Sequence, residues 1–367
     1  MARIAFPPPG RWSRAEPATL GFDPASLARA CNYAETSEIA WPDDVSTMIA
    51  RDDPPPHNRI IGPTKPRGSA SGLVVGNGQV VAEWGTPERV DMTFSATKSY
   101  LWACVAVAVD RGLIADLDDP VVDYVHGDWF SGAHNSTVTW RHLLQQTSEW
   151  SGTLFGIPDT VDHNRAVNRG DRPGRKGEPR PLHTPGTFWE YNDVRVNALA
   201  LAALHVWRRP LSDVLRTEIM DPIGATDAWR WHPYDNAEVD IGGTTFASVP
   251  GGAHWGGGLW ISAFDHARFG LLMLARGNWN GSRVLSETAI DAALAPCAVN
   301  PRYGALWWLN TDRLAWPAAS ASAFAAQGAG GNVVCVVPEH DLVVVARWAG
   351  DAAAIVDRVI ASIAASA

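Results

Sequence analysis

Phe94-Ser95-Ala96-Thr97-Lys98-Ser99-Tyr100-Leu101-Trp102-Ala103-Cys104-Val105-Ala106-Val107-Ala108-Val109-Asp110 decides how the chain is read. After its Ser-Ala-Thr-Lys opening the stretch is apolar on every side, and Gly112 follows as a C-terminal cap. A helix that is hydrophobic all round is buried rather than laid on a surface. Ser95 and Lys98 stand three apart at its start, so both side chains fall on one face within mutual reach. Ser95 also lies near the helix N-terminus, where free N–H groups and the helix dipole favour negative charge developing on oxygen. Lys98 enters an apolar setting. Desolvation is expected to lower its pKa there, leaving it as a base or as a cation paired with an anionic phenolate or alkoxide. A serine hydroxyl is a weak nucleophile until such a neighbour activates it. The bland alternative is a capping Ser beside a Lys that snorkels to water, but Leu101, Trp102, Val105 and Val107 leave that ammonium no exit.

Composition sharpens the point. Of the 30 basic residues only Lys65, Lys98 and Lys176 are lysines. Arg stays protonated, whereas a buried Lys can lose its proton, so a retained Lys asks what Arg could not do. Lys65 and Lys176 lie in Pro/Gly-rich stretches and read as ordinary loop residues.

Outward from this helix, residues 71–84 read as two β-branched runs around Gly76-Asn77-Gly78, a hairpin signal. Residues 1–66 hold 11 of the 26 prolines and read as a mostly extended arm, with a short helix at 24–35 capped by Asp23. A helix is expected over 194–207 with Asp193 as its N-cap, and another near 262–276. Strands are expected at 303–309, 332–337 and 342–348, then a terminal helix from about Ala352. The pattern predicts an α+β fold, an α/β sandwich in which helices flank an antiparallel sheet drawn from both ends of the chain. The expected division is an arm (1–66), an α/β domain (67–112 and 255–367) and a mainly helical insertion (113–254).

The net charge of 30 − 39 = −9 argues against a nucleic-acid or anionic-membrane partner. Four scattered cysteines suit a reducing compartment, and the proline-interrupted N-terminus does not read as a signal peptide, so the expected location is cytoplasmic. The eleven histidines show no ligand spacing, and Gly256-Gly257-Gly258 lacks a nucleotide-binding context; no metal or cofactor is expected. Residues 163–186 form a basic loop in an acidic chain, read either as solvated or as a pocket rim in which Arg172 and Arg175 attract an anionic group.

Phe94-Ser95-Ala96-Thr97-Lys98-Ser99 resembles the nucleophile motif of the β-lactamase-related serine hydrolases, the group of class C β-lactamases, D-alanyl-D-alanine carboxypeptidases and esterases on that fold. Thr139 to Ser148 is similar to the family's helix-and-turn segment. Tyr191-Asn192-Asp193 falls where the family has Tyr-x-Asn, and Gln327-Gly328-Ala329-Gly330-Gly331 where it has a Lys/His-Thr-Gly strand. The likeness spans about residues 68–348 and looks most like the 6-aminohexanoate-dimer hydrolase and esterase branch. It implies that Tyr191 is a general base coupled to Lys98, though sequence alone leaves a backbone-bonded core Tyr equally open. It also implies an oxyanion hole from the N–H groups of Ser95 and Ala329, with Gly328 admitting a close backbone approach.

Two departures bear on the substrate. Asp193 stands where the family commonly has Asn, and an ionised Asp cannot donate to a substrate carbonyl. Gln327 and Gly328 lack the cation that would meet a β-lactam or peptide carboxylate. The expected function is therefore hydrolysis of a small-molecule ester or amide through an acyl-enzyme, with Ser95, Lys98 and Tyr191 catalytic. Asp193, Gln327 and Gly328 are candidate substrate contacts, and Trp150, His254 and Trp255 candidate pocket walls. The alternatives are β-lactam or D-amino-acid peptide hydrolysis by the same residues, and a non-catalytic binding protein on this fold.

Overall fold

Val- and Ala-rich strands dictate the core. The computed structural model describes residues 4–169 and 174–363. Strands β1 (Ser71–Gly76), β2 (Gln79–Trp84), β3 (Trp308–Leu309), β4 (Phe324–Gly328), β5 (Asn332–Val337) and β6 (Leu342–Arg347) form the principal sheet among the described residues. Its order is β3-β4-β5-β6-β1-β2, antiparallel throughout, so the strands do come from both ends of the chain. Asn77 and Gly78, at φ +48° and +81°, make the β1–β2 turn, as that dipeptide favours.

The helices that cover the sheet or build the site are α1 (Pro24–Thr36), α2 (Ser46–Asp52), α3 (Thr97–Asp110), α4 (Asp193–Trp207), α5 (Ala263–Leu274) and α6 (Ala352–Ala361). Val74, Cys335 and Val344 share a register row and pack with Leu27 of α1 and Ile355 of α6. Val343 and Val345 point the other way and join the core of α3 and α5. With both faces covered, β5 and β6 are buried at every position, and each such valine contributes roughly 1.5–3 kcal/mol. This α+β arrangement of helices on an antiparallel sheet agrees with the expected fold class.

Residues 97–108 of α3 are all buried, and Gly112 at φ +67° turns the chain away while the Leu113 N–H caps the Ala108 carbonyl. A small sheet sets the start of this helix: Gly258–Ile261 pairs with both Asp91–Met92 and Arg230–His232, and the Thr93 N–H donates to the Leu259 carbonyl. The chain then enters a single 3-10 turn, Phe94–Ala96, that presents Ser95.

Three expectations change. Asn192, not Asp193, caps α4, its side-chain oxygen accepting from the Arg195 N–H at 3.1 Å; Asp193 is the first helical residue and its carboxylate turns inward. The strand expected over 303–309 shrinks to Trp308–Leu309. The proline-rich arm carries two helices, α1 and α2, so it is less extended than its prolines suggest. Among the described residues no helix is long and apolar enough to cross a membrane.

Candidate active site

Lys98 lies one helical turn beyond Ser95, and its Nζ donates to Ser95 Oγ at 2.9 Å. The ammonium is buried, and what answers its charge is neither phenolate nor alkoxide but the Asp193 carboxylate, whose Oδ1 is ion-paired with it. Burial works against the charge on Lys98, yet Asp193 and Tyr191 outweigh it and hold the pKa above the usual lysine value. The expected downward shift is thus reversed. Burial likewise opposes a charge on Asp193, but Lys98 and then Arg165 hold its carboxyl well below the usual carboxylate range. Arg165 NH1 lies 2.5 Å from Asp193 Oδ2, so one carboxylate carries two cations. Gly252 closes over this pair: a Cβ there would lie 2.2 Å from Asp193 Oδ1 and 2.5 Å from Lys98 Nζ.

Tyr191 is buried beside the same charges. Its ring centroid lies 4.6 Å from Lys98 Nζ and 5.4 Å from Arg165 Cζ. Trp308 stacks on it at 5.6 Å, and Tyr303 meets it edge-on at 6.1 Å. The conformation at the start of α4 brings Tyr191 here together with Asp193.

On the far side of Ser95, β4 ends against the nucleophile turn. A Cβ on Gly328 would lie 2.0 Å from the Thr93 carbonyl oxygen, so only glycine lets the strand come this close. Ala329 follows, and with Ser95 it borders a recess of about 40 Å³. Arg165, Gly252 and His254 bound one part of that recess, and Trp41, Met48 and Phe94 another. Phe94 is held at φ +48°, its ring edge-on to Trp41 at 5.8 Å and to Trp348 at 6.1 Å.

The structure therefore gathers Ser95, Lys98, Tyr191, Asp193, Gly328, Ala329 and His254 into one region. Trp150 departs from expectation: it is buried in the helical layer, its indole N–H donating to the Trp129 carbonyl at 2.8 Å, and it does not border the recess. Trp255 also turns into the core, its indole N–H spent on the His57 carbonyl at 3.0 Å. Gln327 pairs in register with Val333 and is not among the residues bordering the recess. Trp41, Met48 and Arg165 were not legible as site residues, because the first two lie in the proline-rich arm and the third in a charge run.

A second charge cluster adjoins the first. His254 Nδ1 lies 3.4 Å from Asp193 Oδ2, while its Nε2 bonds Asp53 Oδ2 at 2.8 Å. Burial opposes a charge on His254, but its bonds to Asp193 and Asp53 prevail and raise its pKa. Asp53, Asp162 and His254 bring one ligand-type atom each within 4.8 Å of the others. The cation held there is the Lys176 ammonium, ion-paired with Asp53 and 3.7 Å from Asp162 Oδ1. Lys176 is accordingly not an ordinary loop residue. Nor is the basic loop simply solvated: Arg165, Lys176 and Arg180 all turn onto buried carboxylates. Arg172 lies outside the described residues.

Compared with known proteins, residues 59–360 match the beta-lactamase family. Protein Rv1367c of Mycobacterium tuberculosis (strain ATCC 25618 / H37Rv) is 25% identical over 243 residues, 56% of this chain and 60% of that protein, so the match spans less than two thirds of the relative's length. Among solved structures, EstCE1, a hydrolase with promiscuous acyltransferase activity, superposes with a TM-score of 0.60 at 16% identity, covering 93% of this chain and 99% of that one. A protein provisionally described as a 6-aminohexanoate-dimer hydrolase, from Bacillus anthracis, superposes with a TM-score of 0.55 at 16% identity, covering 95% of this chain and 84% of that one. At these identities the likeness is one of fold. The family match, by contrast, runs through Ser95, Lys98, Tyr191 and Ala329, and the chain belongs to the beta-lactamase-related serine hydrolase family.

Proposed function

We propose that this protein hydrolyses small esters or amides through an acyl-enzyme on Ser95. The observation that carries the reading is the buried Lys98 ammonium 2.9 Å from Ser95 Oγ, at the edge of a recess that Ala329 also borders. Because Lys98 donates to Oγ, it is read as the group that stabilises the developing alkoxide, and Tyr191 as the acceptor of the hydroxyl proton. Oγ bonds to the substrate carbonyl carbon, and the resulting oxyanion is held by the N–H groups of Ser95 and Ala329. Collapse breaks the carbon–heteroatom bond, Tyr191 returns the proton to the leaving group, and the acyl group stays on Ser95. Water then attacks, gives its proton to Tyr191, and releases the acid as Oγ regains a proton.

Two features weigh against β-lactam or peptide turnover. Asp193 is committed as a carboxylate to Lys98 and Arg165 and offers no N–H to a substrate carbonyl. Gln327 brings no cation to the strand edge. The test is a panel of p-nitrophenyl esters, anilides, linear amides and a chromogenic cephalosporin, with fluorophosphonate labelling. Ester or amide turnover is expected to exceed cephalosporin turnover. Ser95→Ala is expected to lose at least about 10⁴-fold in kcat and to escape labelling. A labelled, active Ser95→Ala protein would refute the assignment, and an unlabelled, inactive wild type would favour a binding protein.

A further inference from the structure

Part of the recess at Ser95 is built by residues that precede the family match, which begins at residue 59. Trp41 and Met48 belong to the proline-rich arm, and with Phe94 they supply its apolar wall. That wall is fixed at three points. The Trp41 carbonyl accepts two hydrogen bonds from the Arg67 guanidinium, at 3.0 and 2.7 Å. Val45, wholly buried, packs with Met92, Phe94, Ala253 and Trp348 in a cluster of its own. Asp53, at the end of the segment, is buried between Lys176 and His254.

We propose that residues 41–53 form the acyl-pocket wall of this enzyme and restrict it to short aliphatic acyl groups; this rests on reading Ser95 as the nucleophile. The recess has two kinds of boundary. Arg165, Gly252 and His254 belong to the charge cluster around Lys98 and Asp193, and the leaving group needs that side because its proton returns from there. The other substituent of the carbonyl carbon, the acyl chain, is left with Trp41, Met48 and Phe94. The whole recess, of about 40 Å³, holds on the order of three waters, so its acyl side has room for an acetyl to butyryl chain at most. A longer chain has to displace a wall held by an ion pair, a guanidinium clamp and a packed valine.

The experiment is the ratio of kcat/KM for p-nitrophenyl octanoate to that for p-nitrophenyl acetate. Wild type is expected to favour acetate by at least about tenfold, the scale that misfitting methylenes impose. The double variant Trp41→Ala/Met48→Ala is expected to raise the ratio at least about tenfold, and Asp53→Asn, which loosens the wall from its far end, to raise it less. Met48→Trp, a change at a half-buried position that does not open the core, is expected to cut butyrate turnover more than acetate turnover, and it decides the matter if the double variant does not fold. Equal turnover of octanoate and acetate by a wild type that fluorophosphonate labels at Ser95 would overturn the wall alone, as would an unmoved ratio in folded variants. Unlabelled wild type with full activity in Ser95→Ala would overturn the nucleophile, and the wall with it.

Discussion

Asp193 holds the buried Lys98 on one oxygen and the partly buried Arg165 on the other. Removing the carboxylate from such a group leaves like charges facing each other in a low-dielectric interior, where breaking a buried pair costs about 3–5 kcal/mol. Asp193→Asn keeps the shape and removes the charge, so its unfolding free energy is expected to fall by that order in urea titration. The same change withdraws the main force that raises the Lys98 pKa. If the ammonium is needed at Ser95, the alkaline limb of the kcat/KM profile should move to lower pH in the variant, since the proton on Lys98 is then lost sooner. A limb that stays in place in a folded variant would mean that another group governs it. The i, i+3 spacing of Ser95 and Lys98 was readable because a helix fixes it locally. The carboxylate was not, because 95 residues separate Lys98 from Asp193 and an Asp at the head of a helix reads first as a cap.

At the scale of elements, the readable pieces are those with strong local signals. The Asn-Gly hairpin, the all-apolar α3, the body of α4, the valine runs of β5 and β6 and the terminal α6 were all legible, whereas the cap of α4 is Asn192 and not the expected Asp193. The small sheet of Asp91–Met92, Arg230–His232 and Gly258–Ile261 was not, since strands of two to four residues take their stability from the partners they meet. Yet that sheet and β4 together fix the nucleophile turn. Gly328→Ala tests the docking of β4: the added methyl would lie 2.0 Å from the Thr93 oxygen, a contact that only backbone movement relieves. Overpacking of this kind costs about 1–3 kcal/mol. Because the displaced strand carries Ala329, kcat is expected to fall roughly 10²- to 10³-fold, the loss associated with one oxyanion donor, with KM little changed. Loss of stability with kcat intact would separate β4 from the chemistry.

The whole molecule is tied together by charges that the sequence displays as an unremarkable basic loop. Arg180, from that loop, bonds Glu149 through both terminal nitrogens at 2.6 and 2.7 Å and reaches Glu190 at 2.7 Å. Arg195 of α4 meets Glu149 at 2.5 Å and Asp159 at 3.0 Å. A run of arginines reads as solvated because exposed pairs are worth little, and nothing local says that these carboxylates are buried. Burial alone would push the Glu149 carboxyl up, but Arg180, then Arg195 and the His183 N–H, bring it down from 4.5 to about 2. A depressed carboxyl contributes stability that is complete above the unfolded value and is lost as pH falls toward the folded one. The window is therefore pH 4.5 to 2, and the contribution is roughly 3 kcal/mol. Glu149→Gln should be less stable than wild type at pH 7 by about 3–5 kcal/mol, because the buried Arg195 and the half-buried Arg180 both lose a charged partner. As acid is added, wild type should lose stability faster, so the two urea midpoints converge between pH 4.5 and 2. Parallel midpoints across that range would show that the loop is held by packing and not by the charge on Glu149.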